Sequence, residues 1–262
     1  MKERGTLSAT IRVGVEGSFN NQRLGEFSLA IVCPMANESE TAQKFVMETL
    51  SECAALGSVQ FFAVIDQASQ DATPQILEEL ACTEPRLNVI WAPENTCIAE
   101  AYIKGYKEAL LSGADWILEI DAGFSHQPSD IPQFFQPMLD GHDCVFGSRF
   151  MTGGQIIHSS WRRRIVSWGG SKLTNVLLGS RLTDMTSGFE MFTAAALKQA
   201  VEKGIHSRAH YFQTEMKLHC RNMKIVEVPI HYRFAGGGRI GGPVREALRQ
   251  LWRLFKARLS GL

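Results

Sequence analysis

The stretch WILEIDAGFSHQP, Trp116 to Pro128, decides how the rest of this chain is read. Trp116, Ile117, Leu118 and Ile120 form a short apolar run rich in strand-forming residues, and it stops at one acid, Asp121. Ala122 and Gly123 follow, both small, then Phe124, Ser125, His126 and Pro128. A buried strand ending this way sets its carboxylate at the edge where open α/β sheets take their ligands.

Working outward, the same pattern recurs. FSLAIVCP (27–34), VQFFAVID (59–66) and LNVIWA (87–92) precede the opening stretch as short apolar strands, and HDCVFGS (142–148) follows it. Helical segments lie between them. Asn37 and Glu38 could cap one running to about Leu56, Thr73 begins TPQILEELA with proline in its first turn, and IAEAYIKGYKEALLSG (98–113) has apolar residues at helical spacing. This alternation predicts an α/β fold, a mostly parallel sheet with helices on both faces. Glu38, Asp66, Asp121, Ser148 and Arg149 then gather at its carboxyl edge.

Composition excludes several classes. The chain has 262 residues, enough for a sizeable core, and its 27 Lys and Arg balance 27 Asp and Glu, which gives no sign of a nucleic-acid partner. Six cysteines are scattered with no C-x-x-C pair, as expected of reduced, buried thiols. No apolar run reaches the roughly 18 residues of a spanning helix, and no signal-peptide core opens the chain. The expected location is cytoplasmic, or peripheral on the cytoplasmic face of a membrane. Neither G-x-G-x-x-G nor a Walker A sequence occurs, so phosphate binding must come from a cation or basic side chains.

From Arg233 onward, seven basic residues face a single acid, Glu246. Val244, Leu248, Leu251, Trp252, Phe255 and Leu259 fall on one stripe of a basic amphipathic helix over residues 243–262. Such a helix suits an anionic membrane surface, and it equally suits a terminal helix packed on the core. Residues 1–26 are a polar extension in which TIRVGVEG (10–17) could add an edge strand.

Nine segments in order carry a family resemblance. CPMANES (33–39), VIDQASQDAT (64–73) and IDAGFSHQPSDIP (120–132) resemble the nucleotide- and metal-binding segments of family-two glycosyltransferases. GSRFMTGG (147–154), WRRRIVS (161–167), DMTSGFEMF (184–192), YFQTEM (211–216), VEVPIHY (226–232) and RFAGGGRIGG (233–242) are similar to the polyprenol-phosphate (dolichol-phosphate) mannosyl- and glucosyltransferase branch. The resemblance implies a GT-A (Rossmann-like) domain over residues 27–242. It also implies inverting transfer of a hexose from a nucleotide sugar, GDP-mannose or UDP-glucose, to a polyprenyl or dolichyl phosphate.

By that resemblance, Pro34, Glu38, Asp66, Ala122 and Gly123 line the donor site, with Glu38 and Asp66 at the base and ribose. Read alone, Glu38 is a helix cap and Asp66 a turn former. Asp121 is the metal-motif acid for Mg2+ or Mn2+, Gly123 stands where a second acid is usual, and Ser125 or water completes the site. Arg149, Arg163 and Ser167 meet the acceptor phosphate, Arg233 and Arg239 belong to a loop that closes on the diphosphate, and Gln213 and Glu215 reach the sugar. The alternatives are a saccharide acceptor, which would need a general base, and a non-catalytic nucleotide-sugar-binding subunit. The lipid substrate would be reached through the terminal helix, a groove or a membrane-protein partner.

Overall fold

The computed structural model describes residues 23–157, 161–234 and 241–259, apart from the side chains of Arg163, of residues 241–244 and of Ala257. The edge strand expected within residues 10–17 lies outside the described residues.

The five expected strands are present as β1 (Ser28–Pro34), β2 (Ser58–Ile65), β3 (Leu87–Trp91), β4 (Trp116–Glu119) and β5 (Cys144–Ser148). Three more were not foreseen as paired elements: β6 (Gln155–Ile157), β7 (Glu190–Thr193) and β9 (His231–Arg233); β8 (Ile225–Pro229) falls in the VEVPIHY segment. The main sheet runs β3-β2-β1-β4-β7-β5-β8, and β6 and β9 form a separate pair. All main-sheet pairings are parallel except those of β7, which lies antiparallel between β4 and β5.

Both faces of β1 are buried, as a near-continuous apolar strand requires. Leu29, Ile31 and Cys33 meet Phe45, Val46 and Leu50 of α1 (Ala42–Glu52) and Leu77 of α2 (Thr73–Ala81). Ala30 and Val32 face Tyr102 and Tyr106 of α3 (Ile98–Leu111). A Cβ at Gly105 would lie 2.3 Å from a Val32 methyl, so only glycine allows α3 this close to the sheet. On the α3 side the layer is completed by α6 (Ala194–Glu202) and α7 (Tyr211–His219); α4 (Phe135–Leu139) adjoins α1 on the other side.

The chain steps outward from β1 to β3 and then crosses back to β4 on the other flank of β1. The reversal opens a crevice at the carboxyl ends of β1 and β4, where doubly wound sheets bind ligands.

The antiparallel insertion of β7 has a cost. It sets Glu119 directly opposite Glu190, both fully buried. Lys217, also buried, resolves the conflict by donating to Glu190 at 2.5 Å and to the Ser187 carbonyl at 2.5 Å. Tyr106 and Gln213 hydrogen-bond Glu119. Burial, then the neighbouring Glu190, pushes the Glu119 carboxyl well up. Lys217→Met would strand a buried carboxylate, and we expect a loss of about 3–5 kcal/mol in urea unfolding. Most of that loss should return in Lys217→Met/Glu190→Gln.

Helix α8 (Gly241–Leu259) covers most of the expected terminal helix. Leu251 is buried against Leu178 of α5 (Trp161–Leu178) and Tyr211. Arg258 donates to the Leu177 carbonyl at 2.8 Å. The reading of a terminal helix packed on the body holds at Leu251, while Leu248, Trp252 and Leu259 remain exposed. The Val244 side chain lies outside the described residues.

Candidate active site

Asp121 opens the loop after β4, and its carboxylate is held from one side. The Tyr102 hydroxyl donates to Oδ1 at 2.6 Å, while Oδ2 accepts no hydrogen bond among the described residues. His126 Nδ1 accepts from the Asp121 N–H at 3.3 Å, so it carries no proton to share with the carboxylate. The His126 ring is buried between Phe189 and Tyr232, with centroids 5.1 and 5.3 Å away. Burial brings its pKa down to about 4, and the ring is neutral at physiological pH.

Two successive left-handed residues, Gly123 (φ 70°) and Phe124 (φ 58°), turn the loop sharply. A Cβ at Gly123 would stand 2.7 and 2.8 Å from the carboxylate oxygens of Glu38. Glu38 does not cap the helix as its sequence position suggested, since α1 begins only at Ala42. Asn37 takes φ 59°, donates to the Ala68 carbonyl at 2.8 Å and accepts from the Gln70 N–H at 2.9 Å. The Glu38 N–H donates to Thr73 Oγ1 at 2.7 Å. Local bonds to the next loop thus outcompete helix capping, and they turn the Glu38 side chain toward Gly123. Asp66, half-buried at the end of β2, accepts from the Ala68 N–H at 2.8 Å and forms the expected turn.

Across the cleft the cationic half is built on Arg149. Its Nε and Nη2 donate to both oxygens of Asp184 at 2.6 and 2.8 Å, and Nη2 also reaches Thr186 Oγ1 at 2.6 Å. The guanidinium lies 5.3 Å from the Tyr232 ring centroid. Nη1 makes no hydrogen bond to the described residues. Arg149 belongs to the wall of a cavity of about 530 Å³, lined also by Phe150, Gln155, Ile156, Arg164, Ile165 and Trp168. Arg164, exposed in the first turn of α5, hydrogen-bonds the Ile156 carbonyl and lines this space.

The small β6–β9 pair links the two halves. Ile157 pairs with Arg233, and the Arg233 N–H donates to the Ser125 carbonyl at 2.8 Å. Arg233 is thereby tethered beside the Asp121 loop. Arg239 lies outside the described residues, as does the side chain of Arg163. Ser167 is half-buried on α5, and Pro34 and Ala122 are half-buried at the crevice.

Gln213 and Glu215 are not brought to the cleft. Gln213 is buried and donates to Glu119 at 2.8 Å. Glu215, also buried, accepts from the Ser207 N–H at 2.9 Å and from Arg253 at 2.5 Å. The Gln213 amide nitrogen and the Glu215 carboxylate are spent on the fold, and no sugar contact is assigned to either residue.

Three residues that shape the site were missed: Tyr102, Asp184 and Tyr232. Tyr102 carried a signal, since a tyrosine on the apolar face of a helix must find a partner for its hydroxyl.

A divalent cation fits what is present in a limited way. Asp121 offers one uncommitted oxygen, and among the described residues no group of three or more His, Cys, Asp or Glu is arranged to hold a metal. That suits an ion drawing most of its ligands from phosphate and water.

Comparison with known proteins bears on the family and the fold. The family model described as glycosyl transferase family 2 matches residues 30–201. An undecaprenyl-phosphate mannosyltransferase of Micrococcus luteus is 33% identical over 205 residues, covering 76% of this chain and 84% of the relative. A polyprenol monophosphomannose synthase of Mycolicibacterium smegmatis is 27% identical over 224 residues, covering 83% of each. Among solved structures, glucosyl-3-phosphoglycerate synthase of Mycobacterium tuberculosis, in complex with Mn2+, UDP and phosphoglyceric acid, superposes with a TM-score of 0.66. It covers 92% of this chain and 81% of its own at 15% identity, a likeness of GT-A fold alone.

Proposed function

The chain belongs to glycosyl transferase family 2, and from that premise we propose that it transfers a hexose from a nucleoside diphosphate to a polyprenyl phosphate. The observation that carries this is a carboxylate with a free oxygen (Asp121) linked through the His126 and Tyr232 rings to a buried guanidinium with a free Nη1 (Arg149), which lines the cavity. The first suits a donor diphosphate and its cation, the second an acceptor phosphate.

The acceptor's second pKa is about 6, so its attacking oxygen is already anionic at neutral pH and needs no general base. Arg149 and Arg164 orient that phosphate in the cavity, with Arg163 and Ser167 assigned to the same task by family resemblance. The phosphate oxygen forms the new bond to the anomeric carbon, the bond from that carbon to the diphosphate oxygen breaks, and the configuration inverts. Asp121 would hold Mg2+ or Mn2+, which would supply neutralisation of the leaving diphosphate. Arg233, held beside Ser125, adds positive charge to the same leaving group, with Arg239 assigned there by resemblance. Pro34, Asp66 and Ala122 border the space for the nucleoside, GDP or UDP.

Exposed apolar side chains on α5 and α8 support a membrane-surface location for the lipid acceptor. Trp161, Trp168 and Trp252 are each more than half exposed, and Arg162, Lys172 and Lys256 lie over their rings within 6 Å. Aromatic bodies with cations beside them suit the headgroup region. No helix among the described residues is long and apolar enough to cross a membrane. Trp161→Ala/Trp252→Ala should weaken sedimentation with phosphatidylglycerol vesicles by about tenfold or more. Transfer to a short-chain, water-soluble prenyl phosphate should be unchanged.

Incubation with labelled GDP-mannose or UDP-glucose, polyprenyl phosphate and Mn2+ tests the reaction. Label entering the organic phase is the expected result. Label on a water-soluble glycan, or donor binding without transfer, would overturn it.

A further inference from the structure

The loop after β4 lacks an acid two residues beyond Asp121, yet the space that acid would fill is not empty. The Glu38 carboxylate stands there, close enough that a Cβ on Gly123 would meet both of its oxygens at 2.7–2.8 Å. Accordingly, we propose that Glu38, delivered from the β1–α1 loop, is the second carboxylate of the divalent-cation site and replaces the acid missing at Gly123. This rests on the reading of Asp121 as the cation-binding acid.

Three features place the group for that work. Asp121 and Gly123 are two residues apart in one tight turn, so their Cα atoms are at most about 7 Å apart. Both carboxylates also act on the buried Cys33 thiol at the end of β1, which burial and then the charges of Asp121 and Glu38 push up. Glu38 is also held from its own side: its N–H is bonded to Thr73 Oγ1, and the Thr41 hydroxyl donates to Oε2 at 2.7 Å. Oε1 accepts no hydrogen bond among the described residues. Finally, Gly123 is compatible with this arrangement and larger residues are not, because its φ of 70° and the contact with Glu38 both penalise a side chain. The two features form a matched pair, in which loss of the acid at 123 makes room for the acid from 38.

The consequence is a division of labour different from the family resemblance. Glu38 serves the diphosphate end of the donor, and recognition of the base falls to other residues. Two carboxylates, two phosphate oxygens and water suffice for an octahedral ion.

Mn2+ binding to the full chain, followed by electron paramagnetic resonance with UDP or GDP present, separates the outcomes. Affinity for the nucleotide alone in EDTA is measured in parallel. Glu38→Gln should weaken Mn2+ binding at least about tenfold and leave metal-free nucleotide affinity within about twofold. Gly123→Asp alone should also weaken Mn2+ binding, through collision with Glu38. Glu38→Ala/Gly123→Asp should bind Mn2+ more tightly than Glu38→Ala, because aspartate tolerates the left-handed conformation and restores a carboxylate. Wild-type Mn2+ affinity in Glu38→Gln, an equal loss of metal-free nucleotide binding, or no recovery in the double variant would each overturn the assignment. Asp121→Asn distinguishes the wider failure: if it binds Mn2+ as the parent does, the cation is not at this crevice and the proposed function fails with it.

Discussion

Asp121→Asn should retain the fold and lose about a thousandfold or more in transfer rate. Asparagine has the same shape, and its carbonyl can still accept the Tyr102 hydroxyl that bonds Oδ1 at 2.6 Å. The side chain is partly exposed, at 26%, so little burial energy changes and the thermal midpoint should move by no more than a few degrees. What disappears is the negative charge proposed to anchor the cation of the donor diphosphate. The amide places N–H donors where a carboxylate oxygen faced the cation, which converts attraction into repulsion. Removing one electrostatic contact to a developing charge commonly costs about 10²–10³ in rate, and loss of the ion's anchor adds to that. Saturating Mn2+ should recover only part of the rate. Activity equal to the parent's would dismiss Asp121 from the reaction. Tyr102→Phe provides a graded comparison, since it keeps the charge and removes only its orientation. A loss of about tenfold, read mainly as a higher Mn2+ requirement, is expected there.

The parallel part of this fold was legible because β1 and most of β2 are buried on both faces and read as continuous apolar runs, while β3, a half-exposed edge strand, is still short, apolar and β-branched. FSLAIVCP, VQFFAVID and LNVIWA give β1, β2 and β3 to within a residue or two. Strand β7 was not legible. It has four residues, including Glu190, and the presence of that acid in a buried strand depends on Lys217, 27 residues away. No periodicity reports such a partner. Glu38 shows a similar limit: its position before an apolar run mimics a helix cap, and only the bonds from Asn37 to residues 68 and 70 reveal that the loop goes elsewhere. Gln213 and Glu215 show the converse. Polar residues in a helix next to site motifs invited a functional role, and the fold itself uses them.

Arg149→Ala should produce two separable losses. The first is chemical. Arg149 lines the cavity, and without it the proposed acceptor phosphate would lose a fixed cationic contact, for which a loss of about 10²–10³ in kcat/KM is expected. The second is structural, because Asp184 has a side chain with no exposed surface and depends on this arginine. Burial opposes the Asp184 charge, but the Arg149 guanidinium more than offsets it and brings the carboxyl pKa down to about 2. A carboxylate depressed from its ordinary 3.8 adds stability above that value, and the contribution is lost as pH falls from there through about 2. The linkage is worth about 2 kcal/mol in the parent. Removing the arginine leaves a buried, unpaired charge and should cost about 3–5 kcal/mol at neutral pH. Arg149→Met/Asp184→Asn removes both charges, so most of the stability should return, with a flatter acid limb in urea unfolding, while transfer stays lost. Arg149→Lys keeps the charge without the planar fork and cannot bridge Asp184, Thr186 and a phosphate together. It should fall between the two in rate. If the charge-free pair transferred hexose as well as the parent, Arg149 would be a structural counter-ion alone, and the acceptor phosphate would have to be held elsewhere.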